Sequence, residues 1–211
     1  MVFNIRCDLL YTIPDPKVVS KPLLNTLNNP AYLMTKVVKL QAYREKALKR
    51  RSFGPWEKRF GENYEISARL CDLSDKTIYY LALPGDNSTN AFYEFIMGVL
   101  DLGPPAGFHY LENKDQLHVV DVHLFVADQV RFELLRRLGW IKAFSCENET
   151  LLEMVQQCDT LKATAREIPP ALAESHPEYH DYLELTRGDK EVLVRRLLQE
   201  ALEVFKKRLE E

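Results

Sequence analysis

Residues 117 to 140, LHVVDVHLFVADQVRFELLRRLGW, constrain the fold more than any other stretch of the chain. From Leu117 to Val126 the residues are nearly all apolar or β-branched, as in a strand buried on both faces. Asp128 then stands where a helix cap would, and Val130, Leu134 and Leu138 recur every four residues beyond it. Arg136 and Arg137 put positive charge in the last turn, and Gly139 suits the left-handed residue past a helix end. A strand, a turn and a helix are predicted here, and with them an α-and-β core.

The same rules divide the rest. Phe3, Ile5, Cys7 and Leu9 alternate with Asn4, Arg6 and Asp8, which predicts a strand over 2–13. Pro14, Pro16 and Pro22 then exclude a long helix before about residue 23. Asn29 and Pro30 open a helix to about Arg51, with Leu33, Val37 and Leu40 as its apolar stripe and Gly54–Pro55 as its end. Tyr64 to Leu70 alternates and Thr77 to Leu83 is apolar, so the two are predicted to pair as an antiparallel hairpin. Ser88 or Thr89 caps a helix to about Leu102. Ile141 to Cys146 is a short strand, and a helix follows from about Glu149 to Leu161. Ile168, Pro169 and Pro170 interrupt the chain, and an irregular stretch leads to a final helix from about Asp189. The expected class is α+β: a mixed, partly antiparallel sheet with flanking helices and a long C-terminal helix. Residues 1–211 are read as a single domain, with a break near 168–170 before a C-terminal helical extension.

Composition narrows function only a little. Hydrophobic residues make up 46% and charged residues 28%, which excludes wholesale disorder. No run nears the roughly 20 apolar residues of a membrane span, and Arg6 and Asp8 interrupt the apolar N-terminus, so a cytoplasmic protein without membrane contact is expected. Cys7, Cys71, Cys146 and Cys158 are widely spaced and include no C-x-x-C pair; four reduced structural thiols are expected. The N-x-S/T matches at Asn87 and Asn148 are then coincidental.

The net charge of −3 conceals an asymmetry. Between Lys36 and Arg59 there are nine basic and two acidic residues, which leaves 19 basic and 29 acidic elsewhere. The cations are Lys36, Lys39, Arg44, Lys46, Lys49, Arg50, Arg51, Lys58 and Arg59, interleaved with Tyr43, Phe53, Trp56 and Phe60. Cations displace counterions from phosphates and aromatic faces stack on unpaired bases, so segment 36–60 suits nucleic acid or an acidic protein surface. The plainer alternative is a solvated helix face balancing an acidic protein, with the aromatics anchoring a loop.

Asp121 and His123 are the second candidate. Two apart on a strand they share a face, and a carboxylate beside an imidazole can ligate a metal or form a base with its orienting partner. His109, His176 or His180 would supply a third ligand; a structural Asp–His hydrogen bond is the plainer reading. The loop LALPGDNSTNAF, 81–92, offers a helix N-terminus to an anion but has one glycine and no G-K-S/T, so ordinary capping accounts for it. His176 and His180 are four apart, but Pro177 suits a surface loop. Serine-nucleophile, dinucleotide and zinc-protease signatures are absent.

The expectation is a non-catalytic binding protein without a cofactor, contacting a protein or nucleic-acid partner through segment 36–60. The rival is a metal-dependent hydrolase centred on Asp121 and His123. A homo-oligomer is a third expectation, should the face of Leu193, Leu197, Ala201 and Phe205 extend beyond the core.

Overall fold

A computed structural model describes the chain from Pro30 onward, with side chains from Leu40. The strand expected over 2–13 lies outside the described residues, as do the side chains of Leu33 and Val37. The chain divides into two compact units, 1–44 and 45–211. Of the first, the described part is the opening of helix α1, Pro30–Ser52, which starts at the proline as expected.

The second unit overturns the expected mixed sheet. Its elements are the end of α1, then α2 (Gly54–Phe60), α3 (Asp75–Ala82), α4 (Asp86–Leu100) and α5 (Asn113–Arg137). Strand β1 (Ile141–Ala143), α6 (Leu151–Gln156), α7 (Cys158–Glu167) and strand β2 (Ala171–Leu172) follow. Helices α8 (Tyr179–Glu184), α9 (Arg187–Arg196) and α10 (Leu198–Glu210) complete it. Among the described residues the only sheet is β1 paired antiparallel with β2, Ile141 opposite Leu172. The unit is essentially all-α.

Two segments account for the difference. The run from Leu117 to Val126 lies inside the 25-residue helix α5. Val119, Val122, Val126 and Val130 are spaced three, four and four apart, and all four are fully buried. That is a helical stripe, and its burial overrides the modest preference of valine for strands. Asp128 consequently sits mid-helix rather than at a cap. The expected hairpin fails too. Ser74 is an N-cap, its Oγ accepting from the Thr77 amide at 3.1 Å, and TIYYLA is helical with Ile78, Leu81 and Ala82 buried. Residues 64–70 contribute only an isolated bridge, Arg69 to Thr150.

Several boundaries stand where expected. Gly139 adopts φ 74° just past α5, and Ile141–Ala143 is a strand. Pro169 and Pro170 separate α7 from β2. Gly54 and Pro55 open α2 instead of closing a helical region. Leu193, Leu197, Ala201 and Phe205 form one buried stripe across α9 and α10, with Phe205 stacked on Tyr79 at 6.2 Å. That face is covered within the unit and is not free for a second copy.

Two polar features fix the packing. Glu133 is buried; it accepts from Arg136 at 2.7 and 2.8 Å and from Arg137 at 2.8 Å. Arg137 also donates to Asp75 at 2.6 Å and to the carbonyls of Leu70 and Leu73 at 3.0 and 2.8 Å. It thus ties α5 to α3 and to the turn before it. Arg208 of α10 donates to the Arg137 carbonyl at 2.9 Å and approaches Asp75 at 3.6 Å. The second feature is Gly98 of α4, which packs so close to the end of α1 that a Cβ would lie 2.3 Å from the Arg51 carbonyl oxygen.

Candidate functional site

The basic segment folds into the ends of α1 and α2, joined at Phe53. Two of its aromatics are unavailable to a ligand. Phe53 and Trp56 are 0% exposed, and Trp56 stacks on Phe95 at 4.6 Å and donates its indole N–H to the Ala91 carbonyl at 2.7 Å. Phe60 packs edge-on against Trp56 and Tyr80. The expected partner-binding role of Trp56 is therefore replaced by a core role, the usual place for a large apolar surface with one polar atom to satisfy. Tyr43, in the first unit, is 70% exposed.

The cations divide by their neighbours. Arg59 forms a two-pronged bond with Glu94, at 2.6 and 3.2 Å. Arg51 pairs with Asp101 at 3.3 Å, and Lys49 lies 3.7 Å from both Glu57 and Glu65. Lys46, Arg50 and Lys58 are exposed and pair with no acidic group among the described residues. Lys46 and Arg50 are four apart on α1, hence on one face. Arg50, Lys58 and Arg59 border a single open depression with Gly54, Pro55 and Glu94. Arg44 is exposed in the first unit; the side chains of Lys36 and Lys39 lie outside the described residues.

Asp121 and His123 are not brought together. On a helix two positions are about 200° apart, so the shared strand face does not exist. Asp121 accepts from Lys162 of α7, 2.5 Å from both carboxylate oxygens. His123 packs against Phe92 at 5.1 Å and Tyr93 at 5.5 Å. His109 is exposed in a short 3-10 turn, Pro105–Tyr110. His176 accepts from the Glu178 amide through Nδ1 at 3.3 Å and lies edge-on to Trp140. Helix α8 begins only at Tyr179, so His176 and His180 do not share it. Among the described residues, no group of three or more His, Cys, Asp or Glu side chains is arranged to hold a metal ion.

Desolvation, aided by the charge of Arg131 and opposed by Asp128, lowers the His123 pKa below its ordinary value. The unfolded chain then binds a proton that the folded one resists. Stability from this residue is whole above about pH 6.5 and declines as pH falls towards the folded value. His123→Phe, which keeps a ring between Phe92 and Tyr93, is expected to flatten that part of the stability–pH curve. Urea melts between pH 7.5 and 4.5 check it; an unchanged slope would show that His123 titrates normally.

Sequence reasoning missed a cavity of about 320 Å³ between α5, α7, α9 and the residues following β1. Asp121 and Lys162 border it, and Gln129 of α5 lines it. Gln129 is 2% exposed, and its Oε1 is buried with no hydrogen-bond partner. An orphaned buried polar atom costs roughly 1–3 kcal/mol, so its retention calls for an explanation. The signal was a glutamine in a buried stripe, visible only once the segment is read with helical rather than strand phase. The cysteines offer no comparable chemistry. Cys71, Cys146 and Cys158 are free; Cys146 and Cys158 are buried, and burial pushes the Cys158 thiol up to about 11. Cys71 is exposed, and partial desolvation of its sulfur, with the charge of Asp72 beside it, raises its pKa.

The loop at 81–92 leads into α4, but neither Ser88 nor Thr89 caps it: the helix starts at Asp86, with Gly85 at the cap and no side-chain cap bond. Gly85 takes φ 139°, and the Ser88 hydroxyl lies 2.6 Å from the Leu83 carbonyl and 2.9 Å from that of Gly85. No described helix is long and apolar enough to cross a membrane. Compared with protein-family models, curated proteins and solved structures, the chain matches none.

Proposed function

We propose that this protein is a non-catalytic binding protein that docks an acidic segment of a protein partner on Lys46, Arg50 and Lys58. The observation that carries this reading is the presence of three exposed cations, without an acidic partner among the described residues, on a helix pair packed around buried Phe53 and Trp56. Charge left unpaired on a rigid surface steers an oppositely charged partner and costs little to desolvate at a rim. Burial of Phe53 and Trp56 removes two of the segment's four aromatic faces from any stacking with single-stranded nucleic acid. Residues 45–211 carry 22 basic against 29 acidic residues, a balance that disfavours a long polyanion.

Poly-L-glutamate and a short DNA duplex, titrated separately at low salt, test this reading. Saturable binding of polyglutamate is expected, weakened at least about tenfold by the combined change Lys46→Glu, Arg50→Glu and Lys58→Glu. Arg59→Gln is expected to change it little, because Glu94 already holds that charge. Preference for the duplex, with a log–log salt slope approaching about −3, would replace the protein partner with nucleic acid. Binding to neither polyanion, or binding that survives the triple change, rejects the basic surface as the docking site.

A further inference from the structure

We propose that the cavity beside Gln129 binds a small planar anion: a heteroaromatic ring with an amide-like edge for Gln129 and one carboxylate or phosphate group for Arg166. The inference is independent of the basic surface. The cavity's volume falls at the lower end of small-molecule sites, roughly 300–1,000 Å³. Phe125, Phe132 and Phe144 line it, surfaces that favour a flat ring by stacking or edge contact. The glutamine amide carries both a donor and an acceptor, matching a lactam or nucleobase edge once the side chain turns its enclosed Oε1 into the cavity. Its Oε1 bonds to nothing among the described residues. Its terminal torsion is broad and two-fold, so rotation can exchange nitrogen and oxygen.

The charges around the cavity select the second group. Lys162 is held by Asp121, and Arg195 by Asp128 at 2.5 Å and Glu191 at 2.7 Å. Arg166 is the lining cation without an acidic partner among the described residues. A guanidinium receives a carboxylate or phosphate through two parallel hydrogen bonds. With Lys162 and Arg195 occupied by Asp121, Asp128 and Glu191, Arg166 provides for a single anionic group. Leu124 and Ile168, each 57% exposed, border the cavity with apolar surface.

Orotate serves as the probe, because it joins a pyrimidine lactam edge to one carboxylate. Uracil lacks the anion, and uridine 5′-monophosphate carries a phosphate instead of the carboxylate, on a ribose attached to the ring nitrogen N1. Ligand-detected NMR titration of the full chain is expected to give saturable orotate binding, with uracil at least about fivefold weaker. Arg166→Ala is expected to bring orotate down to the level of uracil while leaving uracil unchanged. Gln129→Met, which keeps the shape and removes the orphaned amide, is expected to weaken both ligands at least about threefold with the melting temperature unchanged or raised. Tighter binding of the nucleotide, with the same dependence on both residues, supports the site and makes its anion a phosphate. The proposal is overturned if neither anion saturates below about 10 mM. It is equally overturned if binding survives Gln129→Met, or if that change lowers the melting temperature and so reveals a structural role for the amide.

Discussion

Arg137→Met is expected to destabilise the protein by about 3–5 kcal/mol, the range for removing one partner of a buried ion pair. In a unit of this size that corresponds to a fall in Tm on the order of 10 °C. The change leaves the buried Glu133 carboxylate with Arg136 alone and strips a donor from the carbonyls of Leu70 and Leu73. Arg136→Met is the comparison: that side chain is 35% exposed, against 11% for Arg137, and its loss is expected to cost about 1 kcal/mol. Removing the stranded charge as well, with Glu133→Leu added to Arg137→Met, is expected to restore only part of the loss. The two carbonyls and Asp75 still lack their donor. Denaturant melts of the three variants measure all of this. Equal effects for Arg136 and Arg137 would mean that Arg137 acts only through Glu133.

Gly98→Ala is expected to destabilise as well, although alanine is the better helix former by roughly 0.5–1 kcal/mol. A Cβ at 98 would lie 2.3 Å from the Arg51 carbonyl oxygen and 2.7 Å from its carbon, both backbone atoms that no rotamer change can move. Helix α4 must then shift away from α1, loosening the contacts of its Phe95 with tilted Phe53 and stacked Trp56. Overpacking of this kind costs about 1–3 kcal/mol, which exceeds the propensity gain. Thermal melts decide the sign, and a rise in Tm on Gly98→Ala would show that the helices separate freely.

The parts of this fold that were legible in the sequence are those set by local chemistry. Pro30, Gly139 and Pro169–Pro170 mark boundaries because their backbone restrictions act wherever they stand. The stripe Leu193, Leu197, Ala201, Phe205 was readable because no strand pattern competes with it. Thr150 and Glu153 form a reciprocal cap, Glu153 accepting from the Thr150 amide at 2.9 Å, and T-x-x-E before an apolar run could have placed that start more closely. The segments that misled are 64–70, which alternates, and 77–83 and 117–126, apolar runs dense in β-branched or aromatic residues. The valines of 117–126 fit either period, and burial chose the helical one.

The candidate sites divide in the same way. The charge of segment 36–60 is a property of the sequence, but its neutralisation by Glu94 and Asp101 depends on contacts some 35 to 50 residues away. The Asp121–His123 pairing followed from strand geometry and fell with it. Gln129, Lys162, Arg166 and Arg195 meet only after α5, α7 and α9 have packed, and no spacing in the sequence announces them.

The attachment of α10 has a consequence for how the protein is made. Synthesis is vectorial, and α3 and α5 emerge from the ribosome long before residues 198–210. Until those residues are free, Tyr79 has no Phe205 to stack on and Asp75 no Arg208 beside it. The nascent chain therefore displays an unfinished apolar seam for the interval in which roughly 70 residues after α5 are added, a few seconds to about 15 s at ordinary elongation rates. The core of residues 45–211 closes from its far end, and chaperone capture during that interval is its natural hazard.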